Sequence, residues 1–201
     1  MSPPGPQGSP GPRLILASGS PQRRAILEQI GVSFEIRVSD AQELEQGPPH
    51  EVALENAYRK AAAVAADTDD GDPPVLGVDT LVSLGSRIYG KPRDRADAGR
   101  MLSELSGRRH LVISAVCVID HGEPRSASAG TVVEFQALDA ETVDDYLQTG
   151  EWRGRAGAYA VQGRGATLVR RIEGDYLSVV GLPVATLLEL LPGLLRSARG
   201  S

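Results

Sequence analysis

The chain alternates short apolar runs with longer segments in which apolar residues recur at helical spacing. Runs rich in Val, Leu and Ile predict strands, and segments with one apolar face predict helices. The predicted strands lie at 14–17, 34–38, 75–84, 88–89, 109–119, 128–137 and 167–172. The predicted helices lie at 21–30, 51–66, 94–105, 139–148 and 183–191. Because long antiparallel strands interrupt the alternation, the pattern predicts an α/β fold with a mixed sheet and helices on its faces.

The two ends of the chain differ in composition from its middle. Residues 1–12 consist of Pro, Gly, Ser and Gln with no apolar residue after Met1, so we expect a disordered leader. Residues 13–195 predict a single α/β domain, and residues 196–201 predict a flexible tail.

The segment 75–91 predicts a hairpin whose first strand carries two polar residues inside an apolar run. These residues are Asp79 and Thr80, and the hairpin turns at Gly85-Ser86. Burying an unpaired carboxylate is unfavourable, so Asp79 indicates a binding site. The alternative is that Asp79 only caps or bends the end of the strand.

Lysine is rare in this chain. Lys60 and Lys91 are the two lysines among 21 basic residues, and Lys91 directly follows the hairpin. A compact ammonium differs from a planar guanidinium in what it can bind, so both lysines are candidate site residues. Lys60 could alternatively be a solvated helix residue. A carboxylate, a hydroxyl and an ammonium on one hairpin suit a ligand made of phosphates and metal.

Composition excludes several classes of protein. The apolar fraction of 41% is sufficient for a core, and the net charge of −5 gives no basic surface for long nucleic acid. The single cysteine, Cys117, lies in an apolar run, which favours a buried hydrophobic role over a catalytic thiol. We find neither a stretch of about 18 apolar residues nor a secretory leader, so we expect a cytoplasmic protein without a membrane partner.

The stretch ASGSPQRR, residues 17–24, predicts an anion site. A strand leads into a Ser-Gly-Ser turn and then a helix, for which Ser20 is a suitable N-cap. The free amides of the helix N-terminus, the hydroxyls of Ser18 and Ser20 and the guanidinium of Arg23 all favour an anion. The alternative is an ordinary capped helix with a basic surface.

The stretch RAGAYAVQGRGA, residues 155–166, predicts a turn that approaches a planar ligand closely. Tyr159 and Gln162 could stack on a base or bind its edge. Gln162 offers both a donor and an acceptor, which suits the imide edge of uracil or thymine.

Taken in order, these stretches resemble the Maf family, also called septum-formation-inhibitor-like proteins, which are nucleoside triphosphate pyrophosphatases. The matching segments cover nearly all of residues 13–191. They are LILASGSPQRRAIL, ENAYRKA, LGVDTLV, YGKPRDRADAGRMLSELSGRRH, GEWRGRAGAYAVQGRGATLV and GDYLSVVGLPV.

The resemblance implies a two-lobed α/β fold of the Maf/ITPase type, with a mixed central sheet flanked by helices and an active-site cleft between the lobes. It also implies a homodimer, a divalent metal (Mg²⁺ or Mn²⁺) and hydrolysis of a nucleoside triphosphate to the monophosphate and pyrophosphate. Asp79 matches the family's catalytic carboxylate, and Glu43 with Asp79 are the candidate metal ligands. The candidate substrate-binding residues are Ser18, Ser20, Gln22, Arg23, Lys60, Thr80, Lys91 and Gln162. The Asp-Thr pair and the Ala-Gly-Ala-Tyr stretch resemble the dTTP/UTP branch.

The chain departs from the family pattern at three places. Gln22 stands where the family has an Arg used for substrate choice, Ala25 stands where it has Glu, and Gln42 stands where it has Asp. Gln22 and Ala25 favour a second hypothesis, a nucleotide-binding regulator of septum formation with weak or no hydrolysis. A third hypothesis, a nucleic-acid-binding protein, is disfavoured by the acidic balance of the chain.

Overall fold

The computed structural model describes residues 13–69 and 71–195, which build a seven-stranded mixed sheet with helices on its faces. The predicted leader at 1–12 and the predicted tail at 196–201 lie outside the described residues. The strands are β1 (Ile15–Leu16), β2 (Glu35–Ile36), β3 (Val75–Leu84), β4 (Arg87–Tyr89), β5 (Arg109–Asp120), β6 (Glu123–Phe135) and β7 (Val169–Glu173). The helices are α1 (Pro21–Gln29), α2 (Pro49–Ala65), α3 (Arg95–Leu105), α4 (Ala140–Thr149), α5 (Tyr176–Val180) and α6 (Val184–Leu190). Two 3₁₀ turns lie at Ala156–Ala158 and Gly163–Leu168.

The sheet has the strand order β2-β1-β3-β5-β6-β7, and β4 pairs with the far end of β3. β1 runs parallel to both β2 and β3, and all other pairs are antiparallel. The prediction of a mixed sheet flanked by helices is therefore confirmed. On one side, Asp79 and Thr80 of β3 pair with Ala115 and Ser114 of β5; on the other, they lie between the part of β3 that pairs with β1 and the part that pairs with β4.

The core consists of three apolar clusters that divide the molecule into two lobes. In the first lobe, α1 and α6 pack on one face of β1 and β3, and α2 packs on the other face. In the second lobe, α3 and α4 pack against the ends of β5 and β6. β3 contributes to all three clusters, through Val82, Leu76 and Leu81 respectively.

Several strand boundaries differ from the sequence prediction, those of β2 and β6 among them, and one helix was not predicted. β2 has only two residues because β1, the strand with which it pairs, has a two-residue ladder. β6 begins at Glu123, earlier than predicted, because β5 offers it a pairing partner as far as Asp120. Helix α5 was not predicted. Asp175 caps this helix by accepting a hydrogen bond from the Leu177 amide at 2.9 Å.

Among the helices of the described residues, none combines the length and the apolar character needed to cross a bilayer.

Candidate active site

A cleft of about 820 Å³ lies between the two lobes. Its walls are formed by the turn before α1, helix α2, the middle of β3, the residues after β4 and the glycine-rich segment 153–162. Every residue that the sequence predicts for the site lines this cleft. These residues are Ser18, Ser20, Gln22, Arg23, Glu43, Lys60, Asp79, Thr80, Lys91 and Gln162.

Asp79 lies in the middle of β3 and is only 5% exposed. Its Cα pairs with that of Ala115 on β5, so the backbone is fixed by the sheet. The Lys60 ammonium donates to Oδ1 at 2.5 Å, and the Asn56 amide donates to Oδ2 at 3.4 Å. Asp79 is therefore neither a cap nor a strand end, and both of its oxygens are oriented by side chains from α2.

Lys60 reaches Asp79 because α2 approaches β3 without a side chain between them. Gly77 lies on β3 under α2, and a Cβ built on it would stand 2.1 Å from the Ala57 carbonyl oxygen and 2.6 Å from the Ala61 amide nitrogen. No residue other than glycine fits such a separation. The contact between Gly77 and α2 therefore sets the distance between the ammonium and the carboxylate.

Lys60 also binds a second carboxylate. Its Nζ lies 2.9 Å from Oε1 of Glu43, while the lysine side chain as a whole is only 12% exposed. Burial opposes the charge of Glu43, but Lys60, with Lys91 and Arg23, outweighs this effect and lowers the pKa of Glu43. Glu43 is therefore an anion at neutral pH.

Asn56 fixes the loop that carries Glu43. Its Oδ1 accepts from the Leu44 amide at 2.7 Å, and its Nδ2 donates to the Leu44 carbonyl at 3.0 Å. Asn56 is buried on α2, one turn before Lys60. The sequence analysis did not identify this residue, although a polar amide on the apolar face of an Ala-rich helix was an available signal.

Arg23 joins the helix N-terminus to the rest of the cleft. Its guanidinium donates to Ser18 Oγ at 2.8 Å, to the Gly181 carbonyl at 3.0 Å and to Thr80 Oγ1 at 3.4 Å. Burial lowers the pKa of Arg23, and the nearby charges of Asp79 and Glu43 act against that shift. An arginine remains charged in proteins, so Arg23 contributes a fixed cation beside Asp79.

The hydroxyl of Thr80 is positioned by a chain of hydrogen bonds through Ser114 and Ser178, two residues that the sequence analysis did not identify. Its Oγ1 lies 2.8 Å from Oγ of Ser114, which in turn donates to the Ser178 carbonyl at 2.7 Å. Ser178 belongs to α5, so this helix supports the floor of the cleft.

Ser20 occupies the N-cap position of α1, as predicted, but its side chain does not cap the helix. Its hydroxyl donates instead to Oε1 of Gln22 at 3.1 Å. Ser18 Oγ accepts from the Ser20 amide at 3.3 Å as well as from Arg23. The turn therefore places two hydroxyls and an amide side chain at the entrance to α1.

Lys91 and Gln162 line the cleft without a hydrogen bond or ion pair to any described residue, and both are exposed. Glu151 stabilises the turn that carries Gln162. Its Oε1 accepts a hydrogen bond from the Arg164 amide and its Oε2 accepts one from the Gly165 amide, both at 3.0 Å. Both side chains are thus free to bind a ligand.

Glu43 and Asp79 are the two carboxylates that the sequence analysis predicts as metal ligands, and both line the cleft. They converge on Lys60, and within the part of the chain that the structure describes no three His, Cys, Asp or Glu side chains are grouped to hold a metal ion. Mg²⁺ commonly binds one or two carboxylates together with substrate phosphates and water. The pair therefore fits a cation that binds together with a phosphorylated ligand.

Comparison with known proteins gives consistent matches over almost the whole chain. The family model described as Maf-like protein matches residues 13–194. A protein of Deinococcus radiodurans named dTTP/UTP pyrophosphatase is 43% identical over 190 residues, which cover 94% of this chain and 96% of that protein. Proteins of the same name from Anaeromyxobacter dehalogenans (45% identity, 90% of this chain and 93% of that protein) and Thermococcus kodakarensis (43%, 88% and 94%) are similar over comparable lengths.

Proposed function

The chain belongs to the Maf-like protein family, and we propose on this premise that it is a pyrophosphatase that hydrolyses dTTP and UTP to the monophosphate and pyrophosphate. The observation that carries the proposal is the placement of Asp79. A buried carboxylate is oriented by Lys60 and Asn56 inside a cleft that also contains Arg23 and Lys91. This arrangement suits an anionic substrate that is attacked by water.

In the proposed reaction, Asp79 accepts a proton from a water molecule that attacks the α-phosphorus. A bond forms between the water oxygen and the α-phosphorus, and the bond from that phosphorus to the bridging oxygen breaks, so pyrophosphate leaves with the electron pair. Lys60 keeps the carboxylate of Asp79 in a single orientation. The cationic groups of Arg23 and Lys91 stabilise the charge that develops on the phosphate oxygens.

We propose that Glu43 and Asp79 hold Mg²⁺ or Mn²⁺ when the substrate is bound. Such an ion would neutralise phosphate charge and polarise the bond from phosphorus to oxygen. Removal of Glu43 should therefore weaken the dependence of binding on metal concentration.

We propose that Gln162 recognises the base. Its amide can donate to a ring carbonyl and accept from the ring N–H of thymine or uracil, whereas cytosine presents a different pattern. Ser18, Ser20, Gln22 and Thr80 form the nearby floor and entrance of the cleft. A bound base with the wrong edge would cover the amide of Gln162 without pairing it, at a cost of about 1–3 kcal/mol, which supports selection among pyrimidines.

The test is a panel of the four deoxynucleoside triphosphates and UTP, incubated with Mg²⁺ or Mn²⁺ in water enriched in ¹⁸O. We expect pyrophosphate and monophosphate from dTTP and UTP, with the ¹⁸O label in the monophosphate because attack is at the α-phosphorus. Inorganic phosphate as the product, label in the pyrophosphate, or a preference for purines would contradict the proposal.

One observation favours the alternative of a nucleotide-binding regulator with weak or no hydrolysis. Gln22 lies at the cleft where the family pattern has arginine, and its Oε1 is bound to Ser20. Ala25 gives no such support, because it is exposed and does not line the cleft. Tight binding of dTTP without pyrophosphate release, reversed by Gln22→Arg, would favour the regulator.

We further propose that the protein acts in the cytoplasm as a homodimer, as its family resemblance implies. Light scattering of the purified protein at several concentrations tests the dimer. A mass equal to 21.2 kDa at all concentrations would contradict it.

A further inference from the structure

Arg155 is a cleft residue to which the proposed reaction gives no role. Its side chain is half-buried and lines the cleft, yet its guanidinium makes no hydrogen bond and no ion pair with any described residue. Its Nε is fully enclosed and has no partner. Arg23, also half-buried in this cleft, makes three hydrogen bonds with its guanidinium.

An enclosed donor without an acceptor is unfavourable for the folded chain. Leaving a buried polar group unpaired destabilises the folded state, and the effect is larger when the group is charged. Burial lowers the pKa of Arg155, and the electrostatic effects of Tyr146 and Glu151 act to raise it. An apolar side chain of similar length would be more favourable for folding alone.

The backbone that carries Arg155 is nevertheless firmly held. The Arg155 amide donates to the Trp152 carbonyl at 3.2 Å, and the Gly157 amide donates to the Gly90 carbonyl at 3.1 Å. Gly157 has a φ of +68°, and a Cβ built on it would stand 2.9 Å from Cγ2 of Val82 on β3. The segment is thus fixed against β3 and against the residue that precedes Lys91, and it cannot withdraw Arg155 from the cleft.

We propose that Arg155 is a substrate-binding residue whose free guanidinium binds the phosphates of the nucleotide, from the lobe that does not contain Arg23. The proposal rests on the proposed function, since it takes the occupant of the cleft to be a nucleoside triphosphate. A planar guanidinium donates two parallel hydrogen bonds to phosphate oxygens, a geometry that a lysine cannot reproduce. The donors of Arg155 that find no acceptor among the described residues are then the donors that the substrate satisfies.

The test compares Arg155→Met and Arg155→Lys with the wild-type protein. Methionine keeps most of the apolar stem and removes the charge, and lysine keeps the charge and removes the planar fork. Arg164→Met is the matched control, because Arg164 belongs to the same glycine-rich region, is exposed and lies outside the cleft lining. Binding of dTTP, inorganic pyrophosphate and thymidine is measured by calorimetry in a chelator-containing buffer, and the thermal midpoint of each ligand-free variant is measured separately.

We expect Arg155→Met to weaken dTTP binding by about 10- to 100-fold, the loss typical of one charge-assisted contact, and to leave thymidine binding unchanged. Arg155→Lys should recover part of the loss, and Arg164→Met should bind as the wild type does. The midpoint of ligand-free Arg155→Met should equal or exceed that of the wild type, which a structural role for Arg155 would not produce.

Three results would overturn the inference: dTTP binding within about twofold of the wild type in folded Arg155→Met, an equal loss of thymidine and dTTP binding, or a clear fall in the thermal midpoint of that variant. Because these readouts are binding and stability, they stand apart from turnover. A wild-type protein that binds dTTP and releases no pyrophosphate would contradict the proposed function and would still allow Arg155 to be tested.

Discussion

At the scale of single residues, the site depends on how the two oxygens of Asp79 are occupied. Oδ1 accepts from Lys60 and Oδ2 accepts a longer bond from Asn56, so the second oxygen is the more weakly held. In the proposed reaction, this is the oxygen that takes the proton from water. Lys60 and Asn56 orient the carboxylate of Asp79, and Glu43 binds the same ammonium of Lys60.

We expect Asp79→Asn to fold and to lose most of its activity. The amide keeps an acceptor for Lys60 but cannot accept a proton from water, and loss of a general base typically lowers kcat by roughly 10²–10⁴-fold. Pyrophosphate release and the thermal midpoint should be measured on the same preparation. Asp69→Asn, at an exposed loop position, is the control. A folded Asp79→Asn protein with nearly wild-type turnover would rule out the role of Asp79 as a base.

The sequence was informative about residues of unusual type and uninformative about their partners. Asp79 stood out in an apolar strand and Lys60 in an arginine-rich chain, and the structure places their charged atoms 2.5 Å apart. Asn56 carried a signal of this kind, as a polar residue on the apolar face of α2, but nothing in the sequence showed that it contacts Asp79. Ser114 and Arg155 carry no comparable signal. Ser114 is significant only because Thr80 lies beside it. The guanidinium of Arg155 has no partner among the described residues because of how the glycine-rich segment packs against β3, and no local sequence pattern predicts that contact.

At the scale of elements, the distance between α2 and β3 is set by one missing side chain. Ala57 and Ala61 on α2 and Gly77 on β3 bring the two backbones into direct contact. The Ala-rich character of α2 was visible in the sequence, but the identity of the facing glycine followed only from the register of the sheet. Helix α5 was missed for a related reason, since its five residues are too few for a helical period to be recognised.

We expect Gly77→Ala to destabilise the chain by about 1–3 kcal/mol or more, because the added methyl group would overlap the α2 backbone. Displacement of α2 should also separate Lys60 from Asp79 and lower turnover. Gly193→Ala is the control, since a Cβ there meets nothing within 4 Å. Chemical denaturation of both variants gives the comparison, and equal stabilities would show that α2 can shift without loss.

The turn that carries Gln162 depends on Glu151. A glutamine in place of this glutamate would present one oxygen and one N–H group to two amide donors, so one of them would lose its acceptor. For Glu151→Gln we expect the KM for dTTP to rise about tenfold, the preference for dTTP over dCTP to fall, and kcat to change less. Glu141→Gln, on the exposed face of α4, is the control. If the order of preference among the nucleotides did not change, Glu151 would have no role in base selection.

At the scale of the whole molecule, stability should depend on pH through one buried histidine. His110 is 2% exposed, its Nε2 lies 2.8 Å from the Tyr159 hydroxyl, and its ring packs against Phe135. Burial lowers the pKa of His110 from 6.5 to about 4. Between these values the unfolded chain binds more protons than the folded chain, so acidification favours unfolding.

We expect this contribution to be fully present above about pH 6.5 and to be lost progressively as the pH falls toward 4, amounting to about 3 kcal/mol at the lower limit. The free energy of unfolding of the wild type and of His110→Gln, measured across this pH range, isolates the contribution of His110. The variant lacks the titrating group, so its free energy of unfolding should change less with pH. His50→Gln, at an exposed position, should keep the wild-type slope. Parallel profiles for the wild type and His110→Gln would contradict the assignment.

The distribution of charge around the cleft also affects how a nucleotide arrives there. The lining contains four carboxylates, those of Glu43, Glu45, Asp79 and Asp97, and six cations, those of Arg23, Lys60, Lys91, Arg93, Arg153 and Arg155. Because the whole chain carries −5, the surface outside the cleft is more acidic than the molecule as a whole. A polyanion is therefore repelled over most of the surface and attracted at one opening, so its encounters are guided toward the cleft. Dissolved salt weakens that guidance without touching the bond-breaking step, so the speed of capture and the speed of chemistry respond differently to ionic strength.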